Sequence, residues 1–130
     1  MSDADNGIDW AALTAAAKAI TDRSYSPYSG FPVGAAGVTA DDRVFTATNV
    51  ENASYVAGIC AETALVGVLV AAGVARGELA AVAVTDPEGR ALAPCGRCRQ
   101  LLHEFGGGAL VVNGRPMDEL LPDAFGPEDL

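Results

Sequence analysis

The sequence predicts an α/β sandwich, a mixed sheet covered by helices. Two β-prone runs, Val33 to Ala40 and Arg43 to Thr48, flank Asp41-Asp42 as the arms of a hairpin would. Beyond them helical and strand patterns alternate, which calls for a partly parallel sheet with helices on its faces. The chain has 130 residues, half of them hydrophobic and dominated by Ala, Val and Leu. That suits one domain, residues 1–130, with a substantial core.

The elements follow in order. Apolar residues at Ile8, Ala12, Leu13, Ala16, Ala17 and Ile20 have helical spacing, so a helix is expected from Ile8 to about Arg23, with Asp9 capping its start. Ser24 to Pro32, rich in Ser, Pro, Tyr and Gly, reads as an ordered loop before the hairpin. Asn49 to Ile59 is polar and irregular and leads into a second helix, from Ala61 to about Ala75. Leu79 to Thr85 is a buried-type strand ended by the Asp86-Pro87-Glu88-Gly89 turn. A third helix is expected from near Cys95 to about Phe105, then a strand over Ala109 to Val112 and a turn at Asn113-Gly114. Leu120-Leu121-Pro122 starts a short tail. There are no internal repeats, low-complexity segments or domain linkers.

The net charge of −9 argues against non-specific nucleic-acid binding, which needs clustered Lys and Arg for phosphate contacts. The one basic cluster, Arg97 with Arg99, flanks a cysteine. Met1 to Trp10 carries neither a positive n-region nor an apolar h-region, so no signal peptide is expected. The longest apolar stretch, Ala64 to Val74, is interrupted by Gly67 and Gly73 and is too short to span a bilayer. No membrane partner and a cytoplasmic, reducing location are the expectation. Three cysteines also cannot all pair within one chain, which favours thiolate ligands over disulfides.

Those cysteines fall into one pattern. Cys60-Ala61-Glu62 is followed 35 positions later by Pro94-Cys95-Gly96-Arg97-Cys98. Three thiolates would leave the fourth position on a zinc ion open to water, and a carboxylate beside it can move protons. A Cys/His-x-Glu followed by Pro-Cys-x-x-Cys is the known signature of zinc-dependent base deaminases. A structural zinc knuckle would normally need a fourth protein ligand. The single histidine, His103, lies more than a helical turn beyond Cys98 and is not expected to supply it. Cys60 would sit at the start of the second helix, and Cys95 and Cys98 at the start of the third. Free N–H groups there would offset the negative charge of three thiolates on Zn²⁺. Arg97 and Arg99 are further candidates for offsetting that charge.

The match extends beyond the cysteines. Tyr28-Ser29-Gly30-Phe31-Pro32-Val33-Gly34-Ala35, Asn49-Val50-Glu51-Asn52-Ala53-Ser54-Tyr55, the two cysteine strings through Arg99-Gln100, and Leu120-Leu121-Pro122 with Phe125-Gly126-Pro127 occur in that order. The chain resembles the short, homotetrameric class of cytidine deaminases over nearly its whole length. The resemblance implies a three-layer α/β/α sandwich with a mixed, roughly five-stranded sheet. It implies one Zn²⁺ per chain on Cys60, Cys95 and Cys98, hydroxide attack at C4 of cytosine, and Glu62 carrying protons to N3 and to the departing ammonia. The product would be uridine or 2′-deoxyuridine, as in pyrimidine salvage. Asn49 and Glu51 match a pair that binds the ribose 3′-hydroxyl, with loop capping as the alternative role. Phe31 matches an aromatic beside the base, and the backbone of Ala61 would bond the pyrimidine carbonyl. Phe125 matches an aromatic that enters a neighbouring subunit's site; a plain core role is the alternative for both phenylalanines.

One departure stands out. Many members of that family have Arg directly after the catalytic Glu, helping to neutralise the thiolates; here the residue is Thr63. Arg97 is the nearest replacement in sequence. Two other readings compete with a cytidine deaminase. A deaminase of a related aminopyrimidine nucleoside, such as blasticidin S, would share the Pro94-to-Gln100 string but is not expected to keep Asn49, Glu51 and the Phe125 tail together. A structural zinc module would have no use for Glu62.

Overall fold

Helix α1 (Trp10–Ile20) begins where the Asp9 carboxylate accepts the Ala12 N–H at 3.0 Å, the expected N-cap. It ends earlier than its apolar periodicity suggests, because Thr21–Arg23 tighten into a 3₁₀ turn. The computed structural model describes residues 7–130, so part of the Met1-to-Trp10 stretch read as lacking a signal peptide lies outside the described residues. Strands β1 (Gly34–Thr39) and β2 (Val44–Thr48) form the expected hairpin, with Asp42 in the left-handed region at φ 67°.

Helix α2 (Ala61–Ala71) is shorter than expected. Gly73 adopts φ 85° and turns the chain out of the helix before Ala75. Strand β3 (Leu79–Thr85) and helix α3 (Gly96–Gly106) lie where the pattern places them. Strand β4 is only Val111–Val112, and a further strand, β5 (Arg115–Pro116), pairs with it across Asn113 and Gly114. Both turn residues have positive φ, 50° and 84°, the geometry of a tight two-residue hairpin. Where a tail was expected from Leu120, helix α4 (Met117–Leu120) comes first and buries Met117 and Leu120.

The strands form one five-stranded sheet in the order β2-β1-β3-β4-β5, parallel only between β3 and β4. Period-two alternation splits the core between its faces. Ala35, Val82, Val84 and Val112 pack with Leu65 and Leu69 of α2 and Leu102 of α3 on one side. Ala36, Ala81 and Ala83 pack against Leu13 and Ala17 of α1 on the other. The result is the expected three-layer α/β/α sandwich around a mixed five-stranded sheet. Among the described residues no helix is long and apolar enough to cross a membrane.

Small residues on the α1 side let the helix approach the sheet closely, and Gly34 marks the tightest point. A Cβ there would lie 2.0 Å from the Ala17 carbonyl oxygen and 2.9 Å from Ile20. Since the obstacle is helix backbone, Gly34→Ala is expected to destabilise by about 1–3 kcal/mol. An unchanged urea midpoint in that variant would refute the close approach.

The topology also locates a site. β2 and β3 both run antiparallel to β1, so they run in the same direction, and each is followed by a helix. The N-termini of α2 and α3 therefore meet at the carboxyl ends of these strands, where open α/β sheets bind ligands.

Candidate active site

Cys60 and Cys95 occupy the N-cap positions of α2 and α3, and Cys98 is the third residue of α3. Their three sulfurs lie within 4.8 Å of one another, with Cys60 and Cys95 at 3.9 Å. Bonds of about 2.3 Å in a tetrahedral zinc site put sulfurs about 3.8 Å apart, so the cluster fits zinc and is far too wide for a disulfide. All three cysteines are free.

Their surroundings differ. The backbone N–H of Cys98, with another from Arg97, pulls the Cys95 thiol below its ordinary pKa. Burial, then the nearby Cys95, pushes Cys60 up. Burial drives Cys98 up to about 12, against the hydroxyl of Thr63, which lies 3.3 Å from its sulfur. Convergent thiols of this kind lose their protons when a metal takes their place. His103 stands apart, with Nε2 3.6 Å from an Asp118 carboxylate oxygen.

Glu62, the second residue of α2, is 5% exposed, and burial raises its carboxyl above the usual range. It opens, with Cys60 and Cys95, into a cavity of about 660 Å³, a size suited to a small molecule. The cavity also takes in Phe31, Asn49, Glu51 and Ala61, so it brings together two of the three candidate metal ligands and most of the substrate-binding candidates.

Asn49 and Glu51 do two things at once. The Asn49 amide oxygen accepts from the Ser24 hydroxyl at 2.5 Å and the Val33 N–H at 3.0 Å, while its nitrogen donates to the Phe31 carbonyl at 3.0 Å. This network fixes the amide orientation and leaves one Nδ2 hydrogen for a ligand. Glu51 accepts the Ser29 hydroxyl and the N–H groups of Tyr28 and Ser29 at 3.0 and 3.1 Å. The Ser29 hydroxyl, then its N–H and that of Tyr28, hold the Glu51 carboxyl below the usual range, so it faces the cavity as an acceptor. Loop capping and cavity lining coexist in both residues.

Ala61 is the first residue of α2, where backbone N–H groups lack intrahelical partners. Phe125 is 58% exposed and does not line its own chain's cavity; its carbonyl accepts from Gln100 Nε2 at 2.7 Å. Arg97 is exposed. Arg99 donates to the carbonyls of Pro94 and Leu120, each at 2.8 Å, and so ties the loop before Cys95 to the end of α4.

Several supporting residues escaped the sequence reading. Tyr28 and Tyr55 both line the cavity and meet edge to face, their ring centroids 6.5 Å apart. Their positions inside the Tyr28-to-Ala35 and Asn49-to-Tyr55 strings were the available signal. Asn113 accepts from the Val84 N–H and donates to the Leu92 carbonyl, each at 2.9 Å, fixing the loop that leads to Cys95. Its turn role was visible, but its reach across the sheet was not.

Residues 9–113 match the family described as the cytidine and deoxycytidylate deaminase zinc-binding region. The cytidine deaminase of Mycobacterium tuberculosis is 46% identical over 127 residues, covering 95% of this chain and 94% of that protein. A crystal structure of the same enzyme superposes with a TM-score of 0.87 at 46% identity, over 92% of this chain and 98% of that one. The cytidine deaminase of Mycobacterium leprae gives a TM-score of 0.83 at 47% identity, over 89% and 99%. Likeness on this scale, running through the three converging thiols and the buried Glu62, places the chain in the cytidine and deoxycytidylate deaminase family.

Proposed function

We propose that the protein hydrolyses the 4-amino group of cytidine and 2′-deoxycytidine, giving uridine or 2′-deoxyuridine and ammonia. One observation carries the reading: a buried carboxyl, Glu62, opens beside three converging thiols into a cavity with hydroxyl-binding groups at Asn49 and Glu51. Zinc held by Cys60, Cys95 and Cys98 supplies a Lewis acid that brings the pKa of water towards neutrality. Glu62 takes a proton from the attacking water, delivers it to N3 of the pyrimidine and carries a second to the departing amine. Its burial, which favours the neutral acid, suits it to give protons as well as take them.

The remaining residues position the nucleoside. The free Asn49 N–H donates to the 3′-hydroxyl while Glu51 accepts from it. The Ala61 N–H bonds the pyrimidine carbonyl, and Phe31, 51% exposed at the cavity, covers one side of the base. Phe125, exposed and away from its own cavity, serves a neighbouring subunit in a homotetramer. Arg97 and Arg99 add positive charge near the thiolates. Residues 1–130 act as one catalytic domain in the cytoplasm, in pyrimidine salvage, where a reducing environment keeps the three cysteines free.

The test is to incubate the zinc-loaded protein with cytidine, 2′-deoxycytidine, 3′-deoxycytidine and blasticidin S and follow loss of the 4-amino chromophore. Turnover is expected on the first two. Removing the 3′-hydroxyl takes away both sugar contacts, and kcat/KM is expected to fall by roughly tenfold or more. Turnover of blasticidin S alone would transfer the site to the other nucleoside. Inertness towards both cytidine nucleosides would overturn the reading.

A further inference from the structure

We infer that Thr63 is a positioning residue for the metal centre: its hydroxyl, 3.3 Å from the Cys98 sulfur, donates to that ligand and fixes its place against α2. The inference rests on the three cysteines holding zinc. Thr63 is the third residue of α2, and its Oγ1 lies 3.3 Å from Cys98 Sγ on α3, so the contact joins the two helices that carry the ligands. A thiolate has no proton to give, which makes the threonine the donor once a metal is bound. Among the described residues that hydroxyl has no other hydrogen-bond partner. Threonine in a helix commonly turns its hydroxyl back to a carbonyl of the preceding turn, and here it points across to the sulfur instead.

The other two ligands are compensated differently. Cys95 is exposed, at the N-cap position of α3 on the edge of the cavity. Cys60 is only partly buried, at the N-cap position of α2, and opens to the cavity. Cys98 is fully buried, so negative charge is hardest to sustain there. The Arg99 guanidinium is engaged by the carbonyls of Pro94 and Leu120, which leaves the Thr63 hydroxyl as the side-chain donor that touches the buried sulfur. A hydrogen bond on sulfur withdraws electron density from it, easing the buried charge and weakening its donation to the metal.

Thr63→Val keeps the branched shape and removes the donor, and Thr63→Ser keeps the donor. Thr63→Ala, a favourable helix residue, replaces the valine variant should that one misfold. Zinc affinity, read by competition with a chromophoric chelator, is expected to fall about 10–100-fold in Thr63→Val and to return in Thr63→Ser. In the cobalt-substituted protein, the sulfur-to-metal charge-transfer band should move to longer wavelength in Thr63→Val and back in Thr63→Ser. A folded Val or Ala variant that binds zinc within about twofold of wild type, an unmoved band, or a loss that serine does not repair overturns the proposal. Wild-type protein that takes up no zinc would overturn the cysteine site itself, and this proposal with it.

Discussion

Glu62→Gln is expected to keep its zinc and its fold while kcat falls by about 10³-fold or more, within the range that general acid–base catalysis supplies. Glutamine is nearly the shape of the neutral acid, and burial already favours the neutral form of this carboxyl, so the substitution should be tolerated structurally. The amide cannot take a proton from water, nor pass one to N3 or to the leaving amine. KM for cytidine should change little, because the ribose contacts are assigned to Asn49 and Glu51 and the base contact to the Ala61 backbone. Steady-state kinetics, metal content and a thermal melt on the same preparation make the test. A folded, zinc-loaded variant with kcat within tenfold of wild type would remove Glu62 from the chemistry. It would also favour a centre in which zinc only holds α2 and α3 together.

The cluster of three thiols was legible because its residues sit at places the sequence marks. Cys60 and Cys95 fall where helical patterns begin, and both prove to be N-caps. Glu62 and Cys98 follow within one turn, so their placement needed no long-range information. The hairpin of β1 and β2 was legible for the same reason: its register is set by a short turn at Asp41-Asp42.

What stayed hidden depends on contacts between elements distant in sequence. Strand β4 and its turn were expected, but β5 has two residues, too short for alternation to show, and one of them is Pro116. Helix α4 has four residues and no room for a periodic signal. The charge balance is the clearest case. Arg97, next to Cys98 in sequence, has an exposed side chain. Thr63 is 35 positions from Cys98, and only the packing of α2 against α3 brings them together. The position where the sequence lacked an arginine is thus occupied by a residue that touches the sulfur directly.

Cys98→Ala is expected to abolish turnover and make the protein's melting temperature insensitive to chelators. Cys98 is the fully buried sulfur of the three, and removing it leaves two sulfurs at the edge of the cavity, too few to close a zinc site alone. The side-chain change itself is small, and the stability lost is chiefly the metal's. Binding at a thousandfold excess of free zinc over Kd stabilises by about 4 kcal/mol. At roughly 3–5 °C per kcal/mol for a chain of this size, that is on the order of 10–20 °C in Tm. Wild-type protein should therefore lose that much on chelation and regain it on adding zinc. The variant should melt near the chelated wild type, with or without chelator. A Cys98→Ala protein that retains one zinc per chain and still loses stability to a chelator would show that the buried sulfur is not a ligand, leaving its position beside Cys60, Cys95 and Thr63 to packing alone.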